Sequence, residues 1–484
     1  MPDTVVLSLI SHTNAGKTTL LRTLLRQDVG EIADRAHVTV ESKVYPLIQT
    51  DDESATLELW DTPGFGANLA KLSERLRQQK NPIGWMMHQI WDRHQDASLF
   101  HSQEALRNVQ NHADIVLYVV DMSQKPEQVG YVDAEMEVLS LMGKPVIVVL
   151  NQTGSPEPAA AREREESIRK LLDRYPVARH VLTLDAFTRC WVQEHHLLDL
   201  VCELIEDSKK KKTAKRLTEA WTRGQLEVFG QSVDLFAKLF AESVTDNEAF
   251  LHANFLGRVK QMLDKEARHG EFDRLQQAMY ERLRERTENT VNQLITLHGI
   301  DGTTARKFSE AAREQFSATG GKVDEMLASI GGGALTGLVG GVVLDLASHG
   351  ISFGSGAAIG AILGGATSYA LAKGYNLTQG DSQTVRWTEA HFRDQVRFSL
   401  LLYLAVAHFG RGRGRWQDAP QDPEHWAELV TRLTEKHRDA INDFWKRGKS
   451  DDPTKLAKKR RDWVATLLQE LLTDLYPEAG RVFS

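Results

Sequence analysis

Ser11-His12-Thr13-Asn14-Ala15-Gly16-Lys17-Thr18-Thr19 is the stretch that decides the fold. It comes after the apolar run Val5-Val6-Leu7-Ser8-Leu9-Ile10 and precedes Leu20-Leu21-Arg22-Thr23-Leu24-Leu25, which has helical spacing. A buried strand, a tight loop and a helix opening on Gly-Lys-Thr make a cradle for phosphate. Backbone N–H groups at a helix N-terminus point at an anion and carry partial positive charge. In this arrangement Lys17 reaches the β- and γ-phosphates and the Thr18 hydroxyl holds Mg2+, while Ala15, Gly16 and Thr19 complete the loop. The usual pattern begins with Gly five residues before the second Gly, and Ser11 stands there instead. The loop therefore needs support from elements further along the chain.

That support begins at Leu57-Glu58-Leu59-Trp60-Asp61-Thr62-Pro63-Gly64. An apolar strand ending in Asp-x-x-Gly puts Asp61 at the sheet's C-terminal edge, where it holds Mg2+ through water, and leaves the Gly64 N–H to sense the γ-phosphate. Between the two elements a switch threonine is expected, binding Mg2+ only when the γ-phosphate is present. Thr39 in Ala36-His37-Val38-Thr39-Val40 has the right spacing, with an ordinary strand threonine as the alternative. A base-reading element is expected after the apolar run 146–150, and Asn151-Gln152-Thr153-Gly154 stands there. Where a guanine-reading loop carries Asn-Lys-x-Asp, Gln152 replaces the Lys and Gly154 replaces the Asp. Losing a charge-assisted bond to the base costs on the order of 1.5–3 kcal/mol, which leaves base selectivity open. The last element is expected at Asp185-Ala186-Phe187, where the Ala186 N–H would meet the base.

From residue 1 to 206 short apolar runs alternate with helical patterns, which reads as an α/β domain built of βαβ units on a mostly parallel sheet. Strands are expected at 5–10, 57–60, 115–120, 146–150 and 181–184, with an edge strand drawn from 37–47 that makes the sheet mixed. The stretch 65–112 is long, polar and dotted with Trp85, Met86, Met87 and Trp91. It reads as surface helices, and its position after the switch region favours a functional insertion.

These residues together resemble the Era/TrmE branch of the translation-factor-related P-loop GTPases, chiefly through Asn-x-Gly-Lys-Thr and Trp-Asp-Thr-Pro-Gly. The resemblance covers roughly residues 1–206. The whole layout is similar to a bacterial group in which such a domain precedes a helical domain with a glycine-rich apolar segment. The resemblance implies GTP and GDP as ligands, Mg2+ as cofactor and slow intrinsic hydrolysis. Phe65 stands where Ras-like enzymes carry the water-orienting Gln, so this chain is similar to the class with a hydrophobic substitution there. In potassium-activated relatives the Asn before x-Gly-Lys binds a monovalent cation, and Asn14 matches it. Lys17, Asn14, Thr39 and Gly64 are thus the expected catalytic set, and K+ stimulation on pairing of two nucleotide domains is the expected mechanism. A catalytically weak scaffold and an NTPase of relaxed base preference are the alternatives.

A second domain is expected over 207–484, beginning at the charge run Ser208-Lys209-Lys210-Lys211-Lys212. That run is either a solvated hinge or a membrane-surface contact. Beyond it apolar residues recur at three and four spacing, the pattern of long amphipathic helices. Within 327–373 two nearly uncharged runs carry Gly333, Gly337 and Gly341, then Gly356, Gly360 and Gly364. Spacing of four aligns each set on one helix face, where two backbones approach closely. Glycine costs roughly 1 kcal/mol against Ala in a helix interior, so such a series needs a packing reason. Either a hairpin docking on a membrane surface or membrane protein, or one buried in a soluble helical core, supplies it. The run 398–409, leading into Gly410-Arg411-Gly412-Arg413-Gly414-Arg415-Trp416, poses the same choice.

Composition excludes other classes. The chain has 484 residues, 41% hydrophobic and 26% charged, with a net charge of −7 that argues against nucleic acid as its main partner. Two cysteines, Cys190 and Cys202, exclude a disulfide framework. With no basic region ahead of an apolar leader, a cytoplasmic protein is expected, peripheral on the inner face of the cell membrane if the hairpin docks there. His195-His196 beside Glu194 reads as helix surface rather than a metal site.

Overall fold

A computed structural model of the chain describes residues 2–26, 42–66, 69–88, 97–123, 130–151, 158–186, 189–249, 265–300, 377–379, 384–408, 423–448 and 451–483. Thr39, Gln152, Gly154, the run 410–416 and the glycine-rich segment 327–373 lie outside the described residues. Two compact units are present, one built chiefly on Met1–Leu226 and the other on Glu227–Ala407 with Asp422–Gly480.

The first unit is an α/β domain. Its elements run β1 (Asp3–Ser11), α1 (Lys17–Leu25), β2 (Lys43–Gln49), β3 (Ala55–Asp61), α2 (Leu69–Arg77), α3 (Pro82–His88) and α4 (Ala97–Asn111). They continue with β4 (Ile115–Asp121), α5 (Tyr131–Met142), β5 (Val146–Asn151), α6 (Pro158–Leu172), β6 (Ala178–Thr183) and α7 (Trp191–Leu204). Strand order in the sheet is β2-β3-β1-β4-β5-β6, and only β2 runs antiparallel to its neighbour. The central strands β4 and β5 are buried along their whole length, which is why they read as unbroken apolar runs. The edge strand β2 is half exposed and carries Pro46 beside an irregularity in its register. A proline is tolerated at such an edge because no ladder bond needs its missing N–H. β1 lies between β3 and β4, at the point where the strand order reverses, so the loop after it opens into the crevice where such sheets bind ligands.

The insertion between β3 and β4 is helical. Leu69, Leu72 and Leu76 of α2 recur at three and four spacing and are buried with Phe65 and the β1 and β4 residues of one sheet face. Ser73 Oγ donates to Glu137 Oε2 of α5 at 2.6 Å, and Arg77 pairs with the same carboxylate.

α8 (Ser208–Thr245) comes next, and its lysine run is used inside the first unit. Lys209 Nζ lies 2.7 Å from Asp3 Oδ1 and Lys210 Nζ 2.6 Å from Asp114 Oδ1, while Asp114 Oδ2 accepts the Val6 N–H at 2.9 Å. Arg216 donates to Ser54 Oγ at 2.7 Å, and Ala214, Leu217 and Trp221 pack on the sheet's other face. The run thus ties α8 to the edge of the sheet opposite the phosphate loop.

The second unit is mainly helical. After the latter part of α8 come β7 (Asn247–Ala249), α9 (Lys265–Leu297), β8 (Leu377–Gln379), β9 (Thr384–Trp387) and α10 (Glu389–Ala407). The remaining helices are α11 (Pro423–Lys436), α12 (Arg438–Arg447) and α13 (Pro453–Leu475). A small antiparallel sheet of order β7-β9-β8 is an addition to the all-helical expectation, its strands too short to show alternation. The run 398–409 is a core helix where it is described: Phe398, Leu400, Leu402, Tyr403, Leu404 and Val406 are all buried. Phe240 meets Phe392 edge-on at 5.8 Å, and Phe392 lies 5.4 Å from Phe444, so rings from α8, α10 and α12 form its centre. Among the described residues, no helix is long and apolar enough to cross a membrane.

Gly448, just after α12, has no room for a side chain, because a methyl there would collide with the Val244 backbone carbonyl of α8. Gly230, inside α8, would place a methyl 3.4 Å from the movable end of Arg461. Gly448→Ala is therefore expected to destabilise the chain by about 2 kcal/mol or more. Gly230→Ala is expected to be neutral or to stabilise by up to about 1 kcal/mol. Urea unfolding monitored by circular dichroism distinguishes the two; equal midpoints would contradict the close approach.

Candidate functional site

The loop between β1 and α1 has the backbone its residues require. Asn14 has φ 69° and Gly16 φ 78°, both in the left-handed region. Asn and Gly are the residues that adopt it at least cost, so Asn-x-Gly shapes the turn that brings Lys17 to the helix start. Asn14 is exposed, Ala15 is buried, and Thr18 and Thr19 occupy the first turn of α1. Lys17 is buried and its Nζ pairs directly with the buried Asp61 carboxylate at the end of β3. A buried ammonium and a buried carboxylate each carry a large desolvation cost, which their contact offsets. The residue expected to meet phosphate and the residue expected to serve Mg2+ are thereby in one place.

Asn151 ends β5 beneath the loop and is fully buried. Its Nδ2 donates to the Ala15 carbonyl at 3.0 Å and its Oδ1 accepts the Ala186 N–H at 2.8 Å. Thr23 Oγ1 of α1 donates to the Ala186 carbonyl at 2.7 Å. The Ala186 N–H, expected to meet a base, is thus engaged by Asn151, and the two residues act together as a frame for the loop.

The Asp-x-x-Gly segment is joined to the loop by backbone. Phe65 N donates to the Ser11 carbonyl at 2.8 Å, and Thr13 N and Oγ1 donate to the Phe65 carbonyl at 3.1 and 2.8 Å. Thr62 Oγ1 donates to the Leu9 carbonyl at 2.8 Å. Gly64 lies against Thr13, so that a Cβ on Gly64 would be 3.2 Å from Thr13 Cα. The Phe65 ring is fully buried in the core below, and its position presents no polar group to the site.

His12, which sequence reasoning passed over, leaves the loop on its other side. Its ring stacks on Tyr131 with centroids 4.1 Å apart and planes at 18°. His12 Nδ1 is 2.7 Å from Glu135 Oε1, and the Tyr118 hydroxyl donates to Glu135 Oε2 at 2.6 Å. Burial pushes the Glu135 carboxyl up from its ordinary value, with the bonds from His12 and Tyr118 opposing it. Burial beside Glu135 also holds the Tyr118 and Tyr131 hydroxyls above the usual tyrosine range. The signal for Glu135 was present in the sequence: it shares the stripe of Val132, Met136 and Leu139, where a charge has no reason to be without a partner.

Other clusters are structural. His195 Nδ1 is 2.9 Å from Thr222 Oγ1 and its Nε2 3.4 Å from Asp199, while Glu194 pairs with Arg189 at 2.8 Å. Among the described residues no group of three His, Cys, Asp or Glu is placed to hold a metal. Cys190 and Cys202 are free and buried.

A strand, a left-handed loop, a buried Lys–Asp contact and a sheet of this order define a P-loop GTPase domain. Residues 6–152 match the family described as "50S ribosome-binding GTPase", and residues 170–470 match the one described as "Domain of unknown function (DUF3482)". The second match spans more than half of the chain, and the chain belongs to that family. Among solved structures it is similar to Era in complex with MgGDPNP and nucleotides 1506-1542 of 16S ribosomal RNA, at 17% identity and a TM-score of 0.29. That alignment covers 43% of this chain and 59% of the Era chain, so the chain spans less than two thirds of its neighbour. It is also similar to an Aquifex aeolicus Era variant bound to GDP.AlF4−, at 17% identity and TM-score 0.30, covering 43% of this chain and 58% of that one. Toc33 from Arabidopsis thaliana with Mg2+ and GMPPNP is a third, at 15% identity and TM-score 0.26, covering 39% and 73% of the two chains. No curated protein matches the chain.

Asn151→Ala removes both bonds of the frame and leaves the Ala186 N–H and the Ala15 carbonyl buried without that partner. A loss of about 1–3 kcal/mol of stability is expected, together with weaker nucleotide binding. Thermal unfolding with and without added GDP measures both; a variant as stable as the parent would refute the frame.

Proposed function

We propose that the chain binds Mg2+ with GTP, hydrolyses it slowly, and uses the nucleotide state to set the docking of its helical part. The observation that carries this reading is the buried contact of Lys17 with Asp61 beneath a loop whose Asn14 and Gly16 are left-handed. In the proposal Lys17 leaves Asp61 for the β- and γ-phosphates, and the backbone N–H groups of residues 16–19 hold the diphosphate part. The Thr18 hydroxyl and the Asp61 carboxylate, both hard oxygen donors, fit Mg2+, with Thr39 joining them in the triphosphate state. Mg2+ when bound supplies charge neutralisation on the phosphates. Gly64 reports the γ-phosphate through its N–H, and Asn151 with Gln152 and Ala186 forms the base end.

The catalytic assistance assigned to Asn14 is the binding of K+, in the manner of the Era/TrmE branch, on pairing of two nucleotide domains. The exposure of Asn14 and the apolar Phe65 beside Gly64 support this assignment over a Gln-directed water. A second reading, an NTPase of relaxed base preference, is favoured by Gly154 where a carboxylate would read guanine. One assay set addresses both. GTP, but not equimolar ATP, is expected to displace labelled GDP, and phosphate release is expected to be about tenfold or more faster in K+ than in Na+. Asn14→Ala should abolish the cation difference while leaving GDP bound. Equal rates in both cations would reject the K+ role, and equal displacement by ATP would favour the second reading.

For the helical part, the proposal is a cytoplasmic chain peripheral on the inner membrane face or on a membrane protein, through 327–373. It is supported by the two uncharged runs with glycines at spacing of four. In flotation with anionic vesicles the full chain is expected in the lipid fraction and a deletion of 327–373 in the protein fraction. Equal partitioning of the two would remove the proposal.

A further inference from the structure

The carboxyl group of Glu135 lies outside the residues that loop motifs identify, yet it is a fully buried ionisable group connected to the loop. His12 is part of the loop's backbone: its carbonyl accepts from Ser11 Oγ at 2.7 Å and from Ala15 N at 3.3 Å. On each side of it, Ser11 and Thr13 carry the three bonds to Phe65. The His12 ring anchors the loop on α5, held flat on Tyr131 with Nδ1 on Glu135. Glu135 is held in turn by Tyr118 of β4, itself fully buried, so both carboxylate oxygens are engaged and the group has one orientation. The charged and titratable groups around this contact are His12 from the loop, Tyr118 from β4, and Tyr131 and Glu135 from α5, with Asp121 near Tyr131.

We propose that Glu135 is a positioning residue for the phosphate loop, acting through His12 to fix the junction of Ser11–Thr13 with Gly64–Phe65. The inference rests on the reading of this loop as a nucleotide triphosphate site. Within that reading the junction belongs to the end of the site where a triphosphate differs from a diphosphate, since it carries Thr13 against Gly64. The diphosphate part is held by the N–H groups of residues 16–19, which lie beyond the Ala15 N–H that bonds to the His12 carbonyl. Glu135 therefore governs the preference for GTP over GDP rather than nucleotide affinity in general. Because a buried carboxylate with satisfied partners rigidifies what it bonds, its loss frees the junction without opening the rest of the loop.

The test uses the full chain with Mg2+ and two fluorescent ligands, GDP and a non-hydrolysable GTP analogue. Glu135→Ala is expected to weaken the GTP analogue by about tenfold or more and GDP by less than about threefold, the loss typical of one bond to a charged group. His12→Ala should reproduce the same selective loss, and the double variant should be no worse than either single one. Glu135→Gln retains an acceptor for His12 Nδ1 and an amide that Tyr118 can face, and is expected to stay near the parent. Losses that multiply in the double variant, or equal losses for both ligands, would overturn the proposal. Should Glu135→Ala unfold by circular dichroism, His12→Ala decides alone, because the ring is partly exposed; unchanged binding there overturns the proposal. A parent chain that binds neither ligand sinks the nucleotide reading itself, and this inference with it.

Discussion

One buried amide holds the nucleotide end of the first unit together. Asn151 lies between the loop after β1 and the segment after β6, and an amide without partners at that depth would cost several kcal/mol. It instead spends its donor on Ala15 and its acceptor on Ala186, and Thr23 closes the circuit back to α1. Three loops from three strands are thereby set in one frame, and the left-handed turn at Asn14 and Gly16 is held against its natural tendency to relax. The Lys17–Asp61 contact and the Phe65 bonds are fitted onto that frame. The site is a product of the sheet order, which brings the ends of β1, β3 and β5 to one edge.

Much of this unit was legible in the sequence because its physics is local. Strands buried on both faces must be apolar throughout, and every strand expected from such runs is present within a few residues of its expected place. The edge strand was harder: β2 begins at Lys43, inside the expected run, because half-exposed edges mix polar residues and Pro46 into the pattern. The stretch 65–112 read as surface helices, and α2, α3 and α4 stand within it, although the spacing of Leu69, Leu72 and Leu76 that seats α2 became plain only in the fold. What could not be read is which distant groups meet. His12 and Glu135 are 123 residues apart, and nothing in either segment names the other. The bond from the Ala186 N–H to Asn151, 35 residues away in the chain, is likewise a pairing that only the fold reveals.

The lysine run at the start of α8 illustrates a different limit. As a sequence it offered a hinge or a membrane contact, since five residues rich in Lys and flanked by helix carry no address. Lys209 and Lys210 of the run, with Arg216 a little further along, find Asp3, Asp114 and Ser54 at one end of the sheet's strands. Exposed pairs of this kind contribute little each, and the apolar seating of Ala214, Leu217 and Trp221 supplies most of the attachment. The charges select where α8 lies along the edge. In the second unit the rings of Phe240, Phe392 and Phe444 pack on one another, with the Arg460 guanidinium over the Phe444 face.

Phe65 is the feature whose position has the widest consequence. With its ring in the core, the residue directly after Gly64 is a mooring point rather than a moving part. Drawing that ring into water would cost about 1.5–3 kcal/mol, more than the loss of one ordinary hydrogen bond. Phe65 therefore anchors the segment after β3 to the same core that α2 packs on through Leu69, Leu72 and Leu76. α2 is in turn bonded through Ser73 and Arg77 to Glu137 of α5. A fixed aromatic ring at the foot of this segment and a carboxylate contact further along α2 thus pin it to the core at two separate places.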